Sequence, residues 1–405
     1  MINITNIKEK KIIIYGFGIA GKWLSSNINS EFIIDTDAKK VGKKFGHSVV
    51  YSPLKLNEID VNDYLVLVTV VDIFDVIPIL NQYAANWMPL SSVVDKGEFT
   101  IGKNETTESD EFLQYSINTV LECQKAALDE ETFYLRSVDL VITEKCTLKC
   151  KDCANLMQYY TLPINYTTFD IMQGIKNLAQ KASFIHEVRI IGGEPFLNKN
   201  IYDIIEGVLE IANINKIVIY TNGMIPPNKD RLATFDKDKV LFSITDYAEL
   251  GRNLRKTIDI LDEYRLPYRV HPPEHWTDSG RILEKTGDVE EAKLLFAKCC
   301  GKNLYTAIGQ KLYRCPFAAN ADQLKAIPDN PNNYVNVTDS SKRIRDFAYG
   351  LTYIDACMYC PGRSFDSPII PPALQTKEPI QYKKYIPIEQ TRSGLRPASQ
   401  YLSPP

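Results

Sequence analysis

Short apolar runs alternate with amphipathic stretches along most of this chain. Lys-Ile-Ile-Ile-Tyr at 11–15 has the pattern of a buried strand, and the turn Gly16-Phe-Gly18-Ile-Ala-Gly21 follows it at once. Residues 22–28 then read as helix, 31–35 as a second strand and 64–70 as a further parallel one. Residues 104–111 are polar and acidic and mark a boundary. From Phe112 to Leu128 apolar residues return at helical spacing (Phe112, Leu113, Ile117, Val120, Leu121), which predicts a linking helix. Strands at 137–143, 187–191, 216–221, 240–245 and 268–271 then alternate with helices at 169–182, 200–211 and 250–264. Repeated βα units predict an α/β fold with parallel sheets, and functional groups gather at the carboxyl ends of such strands.

The expected organisation is a Rossmann-like, nucleotide-binding type of unit over residues 1–104 and a linking helix over 105–136. A βα core over 137–285, a small cysteine-bearing extension over 286–365 and an extended tail over 366–405 complete it. The tail is rich in Pro, Ser, Gln and Tyr, and beyond about residue 390 loose packing is expected.

A length of 405 residues suits two or three domains. A net charge of −3 gives no field that would draw nucleic acid or an anionic membrane. The longest apolar runs are strand-sized, and the first eight residues lack the regions of a signal peptide. A cytoplasmic protein is expected. Thiols stay reduced there, so clustered members of its nine cysteines read as metal or redox ligands.

Cys146, Cys150 and Cys153 lie within eight residues, just after the strand at 137–143. Three thiols are one short of a closed site, which suits a metal centre that must bind a second molecule. A structural zinc site with its fourth ligand elsewhere, or chance clustering, is the competing reading. A second set comprises Cys299, Cys300, Cys315, Cys357 and Cys360, with a hairpin between 304 and 314. Four of these thiolates would close a zinc site or a fully ligated iron–sulfur cluster. Cys123 stands alone in the linking helix and reads as a small buried hydrophobe. Near the N-terminus, Gly16, Gly18 and Gly21 with Asp35 (or Asp37) have the order of a dinucleotide-binding turn. A purely structural or docking unit has the same glycines.

Cys-x3-Cys-x2-Cys after a first strand, Gly192-Gly193-Glu194-Pro195 after the second and Thr221-Asn222-Gly223 after a third together resemble the radical SAM superfamily over residues 137–285. The resemblance implies a partial (β/α)6 TIM-type barrel. It implies that Cys146, Cys150 and Cys153 hold three irons of a 4Fe–4S cluster whose fourth iron is chelated by S-adenosylmethionine (SAM). Gly192 and Gly193 would receive the methionyl amine, Glu194 would cap that turn or accept from the amine, and Asn222 and Ser243 would touch carboxylate or ribose. Asp152 departs from the aromatic residue that many members place before the third cysteine. Residues 286–365 resemble the Twitch relative of the SPASM extension. That implies one auxiliary 4Fe–4S cluster on Cys300 (or Cys299), Cys315, Cys357 and Cys360.

The implied activity is reductive cleavage of SAM to a 5′-deoxyadenosyl radical that abstracts hydrogen from substrate, with a flavodoxin or ferredoxin type of electron donor. A closed second cluster favours dehydrogenation or epimerisation. A sugar, nucleotide-sugar or similar polar metabolite is the expected substrate, with a nucleotide at the N-terminal unit. A peptide substrate, or a non-enzymatic cluster and nucleotide-binding regulator, are the alternatives. The loop carrying His271, His275, Trp276 and Asp278 could reach over the substrate or be plain surface.

Overall fold

A computed structural model of the chain describes residues 10–97, 99–273, 276–284, 287–364 and 367–385. His275, and the tail beyond residue 390, lie outside the described residues.

The N-terminal unit is built on strands β1 (Lys11–Tyr15), β2 (Phe32–Ile34), β3 (Lys44–Phe45), β4 (Ser48–Tyr51), β5 (Tyr64–Val68) and β6 (Trp87–Pro89), in the order β3-β4-β2-β1-β5-β6. All neighbours are parallel except the β3–β4 hairpin. The chain goes one way from β1 to β2 and β4, then returns to β5 and β6 on the other side. That reversal leaves a crevice at the carboxyl ends of β1 and β5. Helices α1 (Ile19–Asn27), α2 (Ile77–Gln82) and α3 (Asp110–Ala127) cover the sheet. Trp23 and Leu24 of α1 and Leu113 and Ile117 of α3 share one core; Leu80 of α2 belongs to the opposite face.

Helix α3 is therefore not a free linker. One side belongs to the N-terminal core, while Thr119 and Glu122 on the other meet His186, at 2.9 and 2.6 Å. Its first turn is capped by Ser109, which accepts from the Phe112 N–H.

The second sheet uses β7 (Tyr134–Thr143), β8 (Phe184–Gly192), β9 (Ile214–Thr221), β10 (Val240–Thr245) and β11 (Tyr268–His271), with α4 (Thr168–Ala179), α5 (Ile201–Leu209), α6 (Lys229–Leu232) and α7 (Leu254–Tyr264) between them. The short β12 (Trp276–Thr277) leaves the sheet. Helix α8 (Val289–Lys298), β13 (Tyr305–Ile308), β14 (Lys311–Tyr313), α9 (Pro316–Gln323), β15 (Tyr334–Asn336), α10 (Ser341–Tyr349) and β16 (Ile369–Ile370) follow. Strand β16 pairs with β12. The sheet order is β11-β10-β9-β8-β7-β13-β14-β15, and it does not close. Five parallel strands run in sequence order from β7 to β11, and a sixth parallel strand, β13, joins at the β7 edge.

The two faces of this sheet differ. Val138, Leu140, Ile190, Ile219, Phe242 and Ile244 pack outward in one apolar core with helix residues such as Ile175, Ile204 and Ile260. Alternate positions point the other way and include the polar Asp139, Glu187, Arg189, Tyr220 and Ser243 beside Val141, Val218 and Leu241. Among the described residues no helix is long and apolar enough to cross a membrane.

Candidate functional site

Thr143 ends β7, and the loop that leaves it carries Cys146, Cys150 and Cys153. The end of β8 is pressed against that loop. The Gly193 N–H donates to Thr143 O at 3.1 Å and the Glu194 N–H to Lys145 O at 2.7 Å. Gly192 has φ +154°, and a Cβ there would lie 2.1 Å from Thr143 O. At Gly193 a Cβ would lie 2.1 Å from Lys145 O and 2.9 Å from Cys146 Cβ. These glycines thus let two backbones meet, which fixes the cysteine loop on the rim.

Glu194 is fully buried. Its carboxylate accepts from Thr221 Oγ1 (2.9 Å), the Asn222 N–H (2.9 Å) and the Phe196 N–H (3.2 Å). Of its two expected roles, the structure shows the cap. Burial pushes this carboxyl up to about 7, against those three donors. Asn222 donates from Nδ2 to Thr147 Oγ1 at 2.9 Å, so the end of β9 is tied into the cysteine loop. Ser243 Oγ lies 3.3 Å from His271 Nε2, so the two meet near the carboxyl ends of β10 and β11.

Several contributors carry no signal in the sequence. Lys151 N–H donates to Leu374 O (2.6 Å) and Thr376 N–H to Lys149 O (2.7 Å), so residues 373–376 form a strap across the cysteine loop. Gln375 Nε2 donates to Cys150 Sγ at 3.3 Å. Leu148, Cys150 and Ala373 are buried together, with Cys146, Cys153, Met224, Tyr247 and Trp276 packed against them. Trp276 thus packs beside the cysteines, while Asp278 is paired with Arg281.

The three thiols fit an iron–sulfur group by their donor set. Burial raises each of them, and Cys150 is pushed up to about 11. N–H donors oppose that: the backbone of Leu148 at Cys146, Gln375 at Cys150, and Met157 and Asn155 at Cys153. Donors of this kind favour the thiolate that a metal requires. Among the described residues no three His, Cys, Asp or Glu side chains converge as a single ion needs; a multi-iron cluster spreads its thiolates more widely.

The second set comes together around Cys299. Cys299 Sγ accepts from the Gly301 N–H (3.4 Å), Cys315 Sγ from the Ala318 N–H (3.4 Å) and Cys360 Sγ from the Gly362 N–H (3.3 Å). Cys299 is an electrostatic neighbour of Cys315, Cys357 and Cys360. Cys300, the other of the two candidates, is exposed and lies beside Arg363. The helix α8 ends at Lys298, and the next residue turns inward while Cys300 turns out. The fourth thiol of this group is Cys299.

At the N-terminal crevice, Gly16 has φ +111°. A Cβ on Gly21 would lie 1.8 Å from Gly16 O, so this glycine serves helix packing. At Gly18 a Cβ would meet nothing within 4 Å. Asp35 already has partners within its own unit. It accepts from the Phe17 N–H (2.7 Å) and the Asp37 N–H (2.9 Å) and pairs with Lys40 at 3.1 Å. It shapes the turn. Cys123 is fully buried in α3 with Ala126 and Tyr134.

The Radical SAM superfamily profile matches residues 140–296. GTP 3′,8-cyclase of Limosilactobacillus fermentum is 34% identical over 132 residues, which is 30% of this chain and 39% of that one. The enzyme of the same name from Haemophilus influenzae is 33% identical over 175 residues, 42% of this chain and 46% of that one. The chain thus spans less than half the length of these curated relatives. Among solved structures, BtrN in complex with AdoMet and 2-DOIA is 16% identical with a TM-score of 0.39, over 56% of this chain and 93% of that one. Streptococcus suis SuiB bound to precursor peptide SuiA is 15% identical with a TM-score of 0.31, over 49% and 44%. The profile spans the stretch that carries the three-cysteine loop, the Gly192–Glu194 turn and the parallel strands behind them, and residues 140–296 are a radical SAM domain.

Proposed function

We propose that this chain is a radical SAM enzyme that removes a hydrogen atom from a polar small molecule, with dehydrogenation or epimerisation of a sugar-like substrate as its outcome. The observation that carries this is the joining of three strand ends at one rim. Asn222 just past β9 bonds to Thr147 between the cysteines, and Glu194 just past β8 accepts from the Asn222 N–H. When bound, a 4Fe–4S cluster and SAM would supply one-electron cleavage to a 5′-deoxyadenosyl radical, and a closed second cluster would supply an electron acceptor or relay.

Cys146, Cys150 and Cys153 would hold the first cluster, and Cys299, Cys315, Cys357 and Cys360 the second. Gly192, Gly193, Asn222 and Ser243 stand where SAM would be oriented. Trp276, Tyr247 and Met224 pack over the cysteines and would exclude water from them. The polar inner face supports a substrate rich in hydroxyl groups. Its buried Glu187 is held below the usual carboxylate range: burial works to raise it, but Arg189 and the Tyr115 hydroxyl outweigh that. The group therefore stays an anionic acceptor.

The test is anaerobic reconstitution, reduction and measurement of 5′-deoxyadenosine from SAM. Wild type should produce it, and Cys146→Ala, Cys150→Ala and Cys153→Ala should each abolish it. Full iron loading with no 5′-deoxyadenosine would overturn the enzyme reading in favour of a cluster-bearing regulator.

A further inference from the structure

The glycine turn of the N-terminal unit and the polar inner face of the radical SAM sheet line one continuous crevice of about 520 Å³. Gly16, Gly18 and Ala20 are on one wall, and Arg189, Tyr220 and Ser243 are on the other. The volume is that of a small-molecule site. Larger hollows of about 810 and 760 Å³ exist, but the first opens by His186 and Lys216 at the amino ends of the strands and the second beside α8; neither touches the glycine turn.

The glycine end of the crevice is suited to phosphate. No side chain caps α1, whose first-turn N–H groups are left without helical partners. Gly18 has space where a side chain would stand, while Gly16 and Gly21 are both filled against neighbouring atoms. Lys40 lines the same wall, paired with Asp35, and Asp72 and Asp75 line it too, met by Arg136 at 3.6 Å and Lys302 at 3.2 Å. Among the described residues the buried Tyr15 hydroxyl has no hydrogen-bond partner, although Tyr15 lines the crevice and is only 1% exposed. The barrel end is suited to hydroxyl groups, through Glu187, Arg189, Tyr220 and Ser243. Ser243 is hydrogen-bonded to His271 at the end of β11, so the crevice leads from the phosphate end toward the cysteine rim.

We infer that this crevice is a composite substrate site for a sugar esterified to a nucleoside diphosphate, with the pyrophosphate at the turn that holds Gly18 and the sugar on the inner face around Arg189, Tyr220 and Ser243. The inference deepens the proposed function, because it names the substrate class of the same barrel. The N-terminal unit then acts as a handle that presents the sugar to the rim.

Calorimetric titration of the reconstituted full chain tests it, with UDP, dTDP, GDP and ADP, the esters UDP-glucose, dTDP-glucose, GDP-mannose and ADP-glucose, and NAD as a dinucleotide control. At least one diphosphate should bind, and its glycosyl ester should bind about tenfold more tightly. Gly18→Val has room for its side chain, so it should keep the wild-type melting temperature and weaken both ligands by about tenfold or more. Tyr220→Phe should erase the advantage of the ester and leave the diphosphate unchanged. No binding by any probe, unaltered binding in Gly18→Val, an ester no tighter than its diphosphate, an undiminished ester advantage in Tyr220→Phe, or NAD tighter than every diphosphate would each overturn the inference. The SAM assay on wild type separates the two readings. Cleavage without nucleotide binding sinks only this site, and nucleotide binding without cleavage sinks only the radical chemistry.

Discussion

The two cysteine groups are held in different ways. Around the second, each of three sulfurs accepts an N–H from two or three residues along its own loop: Gly301, Ala318 and Gly362. Local donors serve the first group as well, Leu148 at Cys146 and Asn155 and Met157 at Cys153. The first group is in addition fixed from afar. Asn222 reaches Thr147 across 75 positions and Gln375 reaches Cys150 across 225. A closed ligand set can orient itself, because four thiolates complete the coordination. An open one leaves a position free, and its geometry has to be imposed by surrounding strands.

The largest effect that separates the groups is chemical. Cys315→Ala or Cys357→Ala should lower the iron content by about four per chain while 5′-deoxyadenosine still forms, whereas any loss from the first group silences it. Colorimetric iron assay beside chromatography of the nucleoside reads both. Equal silencing by the two groups would erase the distinction. Next is Glu194→Ala, which strips three buried donors near the first group of their acceptor; about 3 kcal/mol should be lost in urea unfolding. The second group should be unaffected, with its share of iron retained.

The same carboxyl provides a pH signature. Its folded value, raised to about 7, exceeds the ordinary unfolded value, so the folded state binds more protons between about 4.3 and 7. Stability from this group is full at lower pH and falls as pH rises through that window. Glu194→Gln lacks the titration, so the gap between variant and wild type should move in favour of the variant by up to about 3 kcal/mol from pH 5 to 8. An unchanged gap in urea midpoints would remove the burial argument. A finer contrast is between adjacent residues: Cys299→Ala should cost the second cluster's iron and Cys300→Ala should not, by the same iron assay. The smallest effect is at Gln375→Ala, where one hydrogen bond of about 1 kcal/mol is lost and chelator-driven iron release from the first group should quicken a few-fold.

Much of this arrangement was legible in the sequence. Apolar runs ending in Gly16, Gly192 and Gly223 marked strand ends, and period-3.6 stretches marked the covering helices. The rim followed from placing the three cysteines, Gly-Gly-Glu and Thr-Asn-Gly at such ends. The inner face was not legible, because Asp139, Glu187, Arg189 and Ser243 come from three strands, and only the sheet register shows that they share a surface. Nor was the choice between Cys299 and Cys300, which depends on where α8 stops winding. The partners of Asp35 were not legible either, because sequence order gives its position but not the Phe17 N–H and Lys40 that meet it. The strap was invisible, since residues 373–376 have no local pattern that points to a partner so far upstream.

The strap also has a consequence in time. A ribosome emits Gln375 long after Cys150, so during most of synthesis the cysteine loop has no cover over it. Cover over Cys150 is thus among the last contacts that the growing chain can make, although the loop itself is complete early.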